Sequence, residues 1–197
     1  MTISYFGYGS LVNVETLSEH TSVKPGRLDG WVREWRIRGG NAQIGGVCSL
    51  SVAPEQGAAI RGVGAQEPKA GLDALNQREW KYDRIDGVGR DFRCEEQQKP
   101  GPDEMFLYRS KAEYTGWGDE DHPILQSYLD CVLAGFHAFW GEEGISHFVE
   151  TTRGWHVPIL QDRETPVYPR AVALAPELRE AIDDHLSSQK VTYLSKR

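Results

Sequence analysis

The sequence has few cysteines, no surplus of positive charge and no long apolar run. Its three cysteines, Cys48, Cys94 and Cys131, are an odd number at wide spacing with no C-x-x-C pair, which indicates reduced thiols rather than a disulfide framework or a zinc site. The 29 acidic residues against 22 basic ones give a net charge of -7, which disfavours nucleic acid or an anionic membrane as the partner. No apolar stretch reaches the roughly 18 residues of a membrane span, and no signal segment precedes the first strand. We therefore expect a cytoplasmic protein with a small-molecule or protein partner.

The length and the residue pattern predict one domain over residues 1–197. A chain of 197 residues with 39% hydrophobic residues can bury one good core, and the sequence shows no repeat, low-complexity tract or long linker. The first two thirds of the chain show short strand patterns separated by turns, whereas the last third mixes helix and loop. This order predicts an α+β fold, with a small mixed sheet or barrel and helices packed against it.

Period-two alternation of side chains predicts the individual strands. Residues 31–37 alternate in this way, and two further strands over 47–52 and 58–65 flank a Pro- and Gly-containing stretch, residues 53–57, that we interpret as the turn of a hairpin. The remaining predicted strands are 82–85, 92–95 and 105–109, with a surface loop from Gln97 to Glu104 between the last two.

Three segments have helical periodicity. A short helix is predicted over residues 70–80, and a packing helix begins near Pro176, where a proline in the first turn costs little. The longest helix is predicted to begin after Asp121 as its N-cap and to end near Gly135, with apolar residues recurring at helical spacing between them.

The first strand runs into the segment Tyr8-Gly9-Ser10-Leu11, where glycine and serine interrupt an aromatic run. Glycine weakens a strand, so its presence there suggests that the bare backbone is needed. A turn of this kind can present several main-chain N–H groups to an anionic or carbonyl oxygen. We therefore predict an oxygen-binding loop, although an ordinary strand end with glycine would show the same residues.

Glu79 lies where the short predicted helix gives way to a strand, between rings that could shield it from water. Burial against Trp80 and Tyr82 would raise the pKa of the carboxyl group and suit it to accept and return a proton. The alternative is an exposed glutamate that pairs with a neighbouring cation such as Arg78.

Four motifs and a later segment, in this order, resemble the gamma-glutamylcyclotransferase superfamily, which includes a cation transport regulator-like group. The motifs are Tyr5-Phe6-Gly7-Tyr8-Gly9-Ser10-Leu11, Arg61-Gly62-Val63-Gly64, Leu72-x-x-Leu75 and Arg78-Glu79-x-x-Tyr82, and the later segment is Pro123 to Gly135. The resemblance covers roughly residues 3–136. It implies a small mixed β-barrel with flanking helices and Glu79 as the general acid/base. It also implies that Tyr8, Gly9, Ser10 and Leu11 bind the gamma-glutamyl group, and Tyr82 and Tyr108 are further candidates to bind a substrate carboxylate or simply to pack.

The activity implied by this resemblance is an intramolecular cyclisation. The α-amine of a gamma-glutamyl peptide, amino acid or amine would attack its own gamma-carbonyl and form 5-oxoproline, without a metal or organic cofactor. The Trp80-Lys81 pair departs from the glycine pair of the glutathione-specific branch, which argues against glutathione as the preferred substrate. Residues 137–197 have no counterpart in the resemblance, and they either shape the leaving-group side or extend the core.

Other functions remain possible from the sequence. The same pocket could belong to a non-catalytic module that binds an acidic metabolite or a partner protein. A Ser10 nucleophile would make the protein a hydrolase, but the G-x-S-x-G elbow is missing, and Cys48 lies in a strand pattern typical of a buried thiol. His147 and His156 lack a third ligand, so we predict no metal site. The sequence does not indicate an oligomeric state.

Overall fold

The computed structural model describes residues 1–96 and 102–196, and in this part of the chain ten strands form one mixed sheet that packs against three α-helices. The strands are β1 (Thr2–Gly7), β2 (Ser22–Asn41), β3 (Gly45–Pro68), β4 (Tyr82–Asp86), β5 (Phe92–Cys94), β6 (Phe106–Ser110), β7 (Ile124–Leu125), β8 (Thr152–Arg153), β9 (Ile159–Gln161) and β10 (Tyr193–Ser195). The helices are α1 (Leu72–Arg78), α2 (Gln126–Glu150) and α3 (Pro176–Ser187). The predicted α+β class is confirmed, and the predicted surface loop Gln97–Glu104 lies mostly outside the described residues.

The first strand runs through the middle of the sheet. The strand order is β10-β9-β7-β3-β1-β6-β4, and β2 pairs with β3, β5 and β8. β1 is antiparallel to β3 and parallel to β6, and both of its aromatic side chains are buried: Phe6 packs in the main core, and Tyr5 packs in a smaller cluster on the other face. Burial on both faces explains its nearly continuous apolar sequence. The loop that follows β1 therefore starts from the middle of the protein.

The predicted hairpin of residues 47–52 and 58–65 is wrong, because both segments belong to the single long strand β3. β3 pairs with β2 almost throughout, from Ser22 opposite Gln66 to Asn41 opposite Gly45. The supposed turn is a bulge in this pairing, where the partner of Trp31 is Pro54 and the next pair is Asp29 with Ala59. Gly30 and Gly57 take the positive φ values of 83° and 84° that this bulge requires.

The longest helix differs from its prediction at both ends. α2 begins at Gln126 rather than after Asp121, and its first turn is capped from a distance, because the Ser127 N–H donates to Asp162 Oδ1 over 2.8 Å. Gly135 lies inside the helix, and the helix continues to Glu150 across a break at Gly141, where φ is 60° and ψ is -150°. A helix cap supplied by a residue 35 positions away leaves no local signal in the sequence.

The shorter predicted elements agree with the structure. α1, β4 and α3 lie where the patterns indicate, and α3 has proline in its first turn. All three cysteines are buried and free. Within the described chain, none of the helices combines the length and the apolar character that crossing a membrane requires.

Candidate active site

The loop after β1 turns tightly and leaves several main-chain donors free. Ser10–Val12 forms a 3-10 turn in which Val12 N–H donates to the Gly9 carbonyl over 2.9 Å and Asn13 N–H donates to the Ser10 carbonyl over 3.2 Å. Within residues 1–96 and 102–196, the N–H groups of Gly9, Ser10 and Leu11 donate no hydrogen bond. All three residues line a cavity of about 30 Å³. The loop can therefore offer its N–H groups to an oxygen atom of a bound molecule.

Helix α2 supports this loop from behind. The side chain of Asn13 donates to the Cys131 carbonyl over 2.9 Å, and a Cβ atom at Gly135 would lie only 2.6 Å from the Asn13 backbone nitrogen. A larger residue at position 135 would push the helix away from the loop. Gly9 is also closely packed, since a Cβ there would meet the Tyr128 hydroxyl at 3.2 Å. Glycine therefore permits close approach at both positions.

Glu79 follows α1 directly and faces the same cavity. Its side chain is 12% exposed, and its Oε1 lies 3.2 Å from Nε of Arg78. Burial raises the pKa of the Glu79 carboxyl group, and the charges of Arg78 and Arg170 oppose that rise. The carboxylate is thus buried rather than exposed, and it still forms the ion pair with Arg78 that the alternative interpretation gave to an exposed side chain.

Arg78 connects the carboxylate to the loop. Besides contacting Glu79, its guanidinium group donates to Ser10 Oγ over 3.2 Å and to the Thr16 carbonyl over 2.7 Å. A planar guanidinium group can hold several acceptors in fixed directions. Arg78 therefore fixes the position of Glu79 relative to the residues after β1, and the sequence suggested only a simple ion pair for it.

Three predicted tyrosines form walls of the cavity, and their hydroxyl hydrogens are used within the protein. Tyr8 donates to the Tyr108 carbonyl over 2.6 Å, Tyr82 donates to the Leu50 carbonyl over 3.0 Å, and Tyr108 donates to Asn76 Oδ1 over 2.6 Å. Burial raises the pKa values of Tyr8 and Tyr82 well above the usual range of tyrosine, so both are neutral. Because each hydroxyl has a single hydrogen, these side chains act here mainly as walls.

A second depression of about 150 Å³ adjoins the first cavity. The two share Ser10, Glu79, Tyr82 and Tyr128 among their lining residues. Since one water needs roughly 10–15 Å³ of such volume, the depression has room for several polar atoms of a ligand. The residues that line it are Ser10, Ser49, Arg78, Glu79, Trp80, Lys81, Tyr82, Tyr128, Tyr168 and Arg170.

The structure thus brings all seven predicted site residues to one place and adds others. Tyr128, Tyr168 and Arg170 were not predicted. Tyr128 lies on the helix that the apolar pattern indicated, but that pattern describes packing and not a site. Tyr168 and Arg170 lie in irregular chain without a motif, so only the tertiary structure reveals them.

Other parts of the described surface offer fewer groups suited to catalysis or metal binding. A wider depression, about 810 Å³, is an open groove lined by residues such as Gln43, His122 and Lys196, and no buried carboxylate is among its lining residues. In the described ranges, no group of three or more His, Cys, Asp and Glu side chains is placed to hold a metal ion. The cavity beside Glu79 is therefore the best candidate for a catalytic or binding site.

Three solved structures resemble this chain over most of its length. A gamma-glutamyl cyclotransferase is 14% identical, with a TM-score of 0.56 over 93% of this chain and 99% of its own. An uncharacterized protein from Homo sapiens is 15% identical, with a TM-score of 0.54 over 92% and 98%. YkqA from Bacillus subtilis is 14% identical, with a TM-score of 0.52 over 98% of this chain but only 56% of its own. No protein-family model and no curated protein sequence matches this chain. The similarity is therefore one of fold.

Proposed function

We propose that this chain, which has the gamma-glutamyl cyclotransferase fold, converts the gamma-glutamyl group of a small substrate to 5-oxoproline and releases the remaining amine. One observation carries the proposal: Glu79, whose carboxylate is largely buried, lines the same cavity as Gly9, Ser10 and Leu11, whose N–H groups are free. A proton acceptor and a set of oxygen-binding donors are the two elements that this cyclisation needs.

The reaction places few demands on the protein because nucleophile and electrophile belong to one molecule. The α-amino nitrogen attacks the gamma-carbonyl carbon and closes a five-membered ring, and the carbonyl oxygen becomes an oxyanion. When the carbonyl re-forms, the original C–N bond breaks and the leaving nitrogen takes up a proton. Holding the substrate in a folded conformer draws on the high effective molarity of well-oriented intramolecular reactions. The substrate itself supplies every reacting atom, including the protons: the α-ammonium nitrogen loses two, the leaving nitrogen gains two, and the protein only transfers them.

Glu79 is suited to carry that proton in both directions. As a carboxylate it accepts a proton from the α-ammonium group, and as a carboxylic acid it returns the proton to the leaving nitrogen. Burial raises the pKa of Glu79 toward the pH at which both forms are accessible, while Arg78 limits the rise. The same Arg78 holds Ser10, so the acid/base group and the loop keep a fixed separation.

The loop is suited to bind the oxygen atoms of the substrate. The main-chain donors at Gly9, Ser10 and Leu11 would meet the substrate oxygens and stabilise the oxyanion when it forms. Donors fixed by the backbone need no reorganisation during the reaction. Tyr8, with its hydroxyl bonded to the protein, would form the wall against which the folded gamma-glutamyl chain packs.

A direct test compares wild-type protein, Glu79→Gln and the matched control Glu113→Gln, which alters an exposed glutamate that lines neither the first cavity nor the second depression. Each is incubated with glutathione, gamma-glutamyl amino acids and gamma-glutamyl amines, and 5-oxoproline is measured by mass spectrometry. Wild type and the control should release it, whereas Glu79→Gln should be slower by about 10²- to 10⁴-fold, the usual contribution of an acid/base group.

The same experiment addresses the alternative of a non-catalytic binding module. The ion pair between Glu79 and Arg78 would also suit a pocket that only binds an acidic molecule. Such a module would bind gamma-glutamyl compounds without releasing 5-oxoproline, and Glu79→Gln would change affinity alone. Full turnover by Glu79→Gln would instead show that the acid/base role belongs to another group.

A further inference from the structure

The second depression contains two cations that form no ion pair. Of its three cationic side chains, Arg78 is paired with Glu79, whereas Lys81 and Arg170 make no ion pair within residues 1–96 and 102–196, although the charge of Arg170 reaches Glu79. Burial lowers the pKa of Lys81, and its ammonium group lies 5.2 Å from the centre of the Trp80 ring. Two positive charges outside any ion pair in one depression favour a negatively charged ligand group.

Arg170 reaches this depression through an anchored segment, residues 162–170, which we call the strap. At its start, Asp162 is buried and accepts hydrogen bonds from Ser127 N–H over 2.8 Å, Ser127 Oγ–H over 2.5 Å and Val167 N–H over 2.8 Å. The Asp162 carboxylate therefore holds the strap and the first turn of α2 together.

The next residue, Arg163, connects the strap to two helices. Its guanidinium group makes two bonds of 2.7 and 2.8 Å to Asp130 of α2 and two of 2.9 Å to Asp183 of α3. A bidentate contact with each carboxylate restricts the rotation of the arginine side chain. The strap is therefore fixed to the helical layer of the fold.

The far end of the strap lies over the site. Tyr168 N–H donates to Ser127 Oγ over 3.3 Å, and the Tyr168 ring lies edge-on to Tyr128 with 5.0 Å between the ring centres. Tyr168 and Ser10 of the loop line the same depression. Arg170 follows two residues later at the exposed rim of the depression.

Glu79 lines both the first cavity and the depression, so a substrate whose reacting bond lies beside Glu79 would extend into both. In the proposed reaction the bond that breaks lies beside Glu79, the oxygen atoms of the gamma-glutamyl half meet the free N–H groups, and the leaving group would extend toward Trp80, Lys81 and Arg170. We propose that Lys81 and Arg170 bind a carboxylate of the leaving group. The preferred substrates are then gamma-glutamyl amino acids or peptides rather than gamma-glutamyl amines. This inference rests on the proposed function.

Three substrates that share the gamma-glutamyl half test this inference. They are gamma-glutamylalanine, its C-terminal amide and gamma-glutamylethylamine, and kcat/KM is measured for wild type, Lys81→Ala, Arg170→Ala and Arg170→Lys. Wild type should prefer the acid, and each alanine variant should lower kcat/KM for the acid by about tenfold. This is the smallest loss expected when a hydrogen bond between charged groups is removed, because the site is exposed. The loss for the amide and the amine should be clearly smaller than the loss for the acid, because removing Arg170 also acts on the pKa of Glu79 with every substrate. Arg170→Lys should recover part of the loss, and the exposed Arg27→Ala should match wild type.

Other outcomes would overturn the inference. An equal loss for all three substrates would show that the cations bind the α-carboxylate of the gamma-glutamyl half. A wild type that does not distinguish acid from amide would show that no leaving-group carboxylate is recognised.

Failure of the proposed function can be separated from failure of the subsite. If no compound is turned over, the three compounds are titrated calorimetrically into wild type and Arg170→Ala. Tighter binding of the acid that Arg170→Ala abolishes would keep the carboxylate subsite and reject the cyclisation. Equal affinities for acid and amide would reject the subsite as well.

Discussion

Replacing Asp162 with alanine tests how the strap is held. The substitution leaves two buried main-chain donors, Ser127 N–H and Val167 N–H, without their acceptor, and both residues are at most 5% exposed. An unsatisfied buried donor costs about 1–3 kcal/mol, so the two together should lower the free energy of unfolding by about 4 kcal/mol. For a chain of 197 residues, about 2–4 °C per kcal/mol then predicts a melting temperature about 8–16 °C lower.

The measurement is thermal unfolding of Asp162→Ala beside two other variants. Asp162→Asn keeps the shape and one acceptor oxygen, so its loss should be intermediate, and the exposed Asp184→Ala should stay within about 0.5 kcal/mol of wild type. Hydrogen exchange should show lost protection at the Ser127 and Val167 amides. If Asp162→Ala melted within about 2 °C of the Asp184 variant, the reasoning about the strap would be refuted.

Three further perturbations concern buried titratable groups. Burial penalises the charged form of Glu79, so Glu79→Gln should raise the melting temperature at pH 8, and the gain should vanish toward pH 4, where the wild-type carboxyl group is protonated. Burial raises the pKa of Cys48 to about 12 and that of Cys131 to about 11, so at pH 8 these thiols should react with dithionitrobenzoate only after unfolding in guanidinium. Burial and the charge of Arg33 lower the pKa of His147 from 6.5 to about 4. The folded state should therefore become less stable as the pH falls from 6.5 to 4, and denaturant unfolding of His147→Gln should show a smaller loss.

Local patterns predicted the elements that depend on local interactions. The helix α1 and the strand β4 have their own apolar spacing, and the position of Glu79 between them follows from the sequence. The loop after β1 was recognised because glycine is unusual at the end of an aromatic strand. The meeting of this loop with Glu79 around one cavity could be expected only through the family resemblance, since nothing in the local sequence specifies that contact.

The errors arose where distant residues determine the structure. Pro54 and Gly57 have the composition of a turn, yet pairing with β2 extends β3 through them and turns them into a bulge. The sequence predicts Asp121 as the N-cap of α2, but Asp162 supplies that cap from the strap. Arg170 could not be predicted as a site residue, because its position depends on the anchoring of the whole strap.

The site brings together residues that are far apart in the sequence, since Gly9 and Arg170 are separated by about 160 residues. The long pairing of β2 with β3 is comparatively local and can form early in folding, whereas β1 and the strap need contacts between distant segments, whose loop-closure entropy makes them slow. We therefore expect most of the sheet to form before the active site is complete. A refolding chain should regain much of its sheet signal before its first turnover, and during synthesis a chain that has not yet reached the strap would present an unfinished pocket.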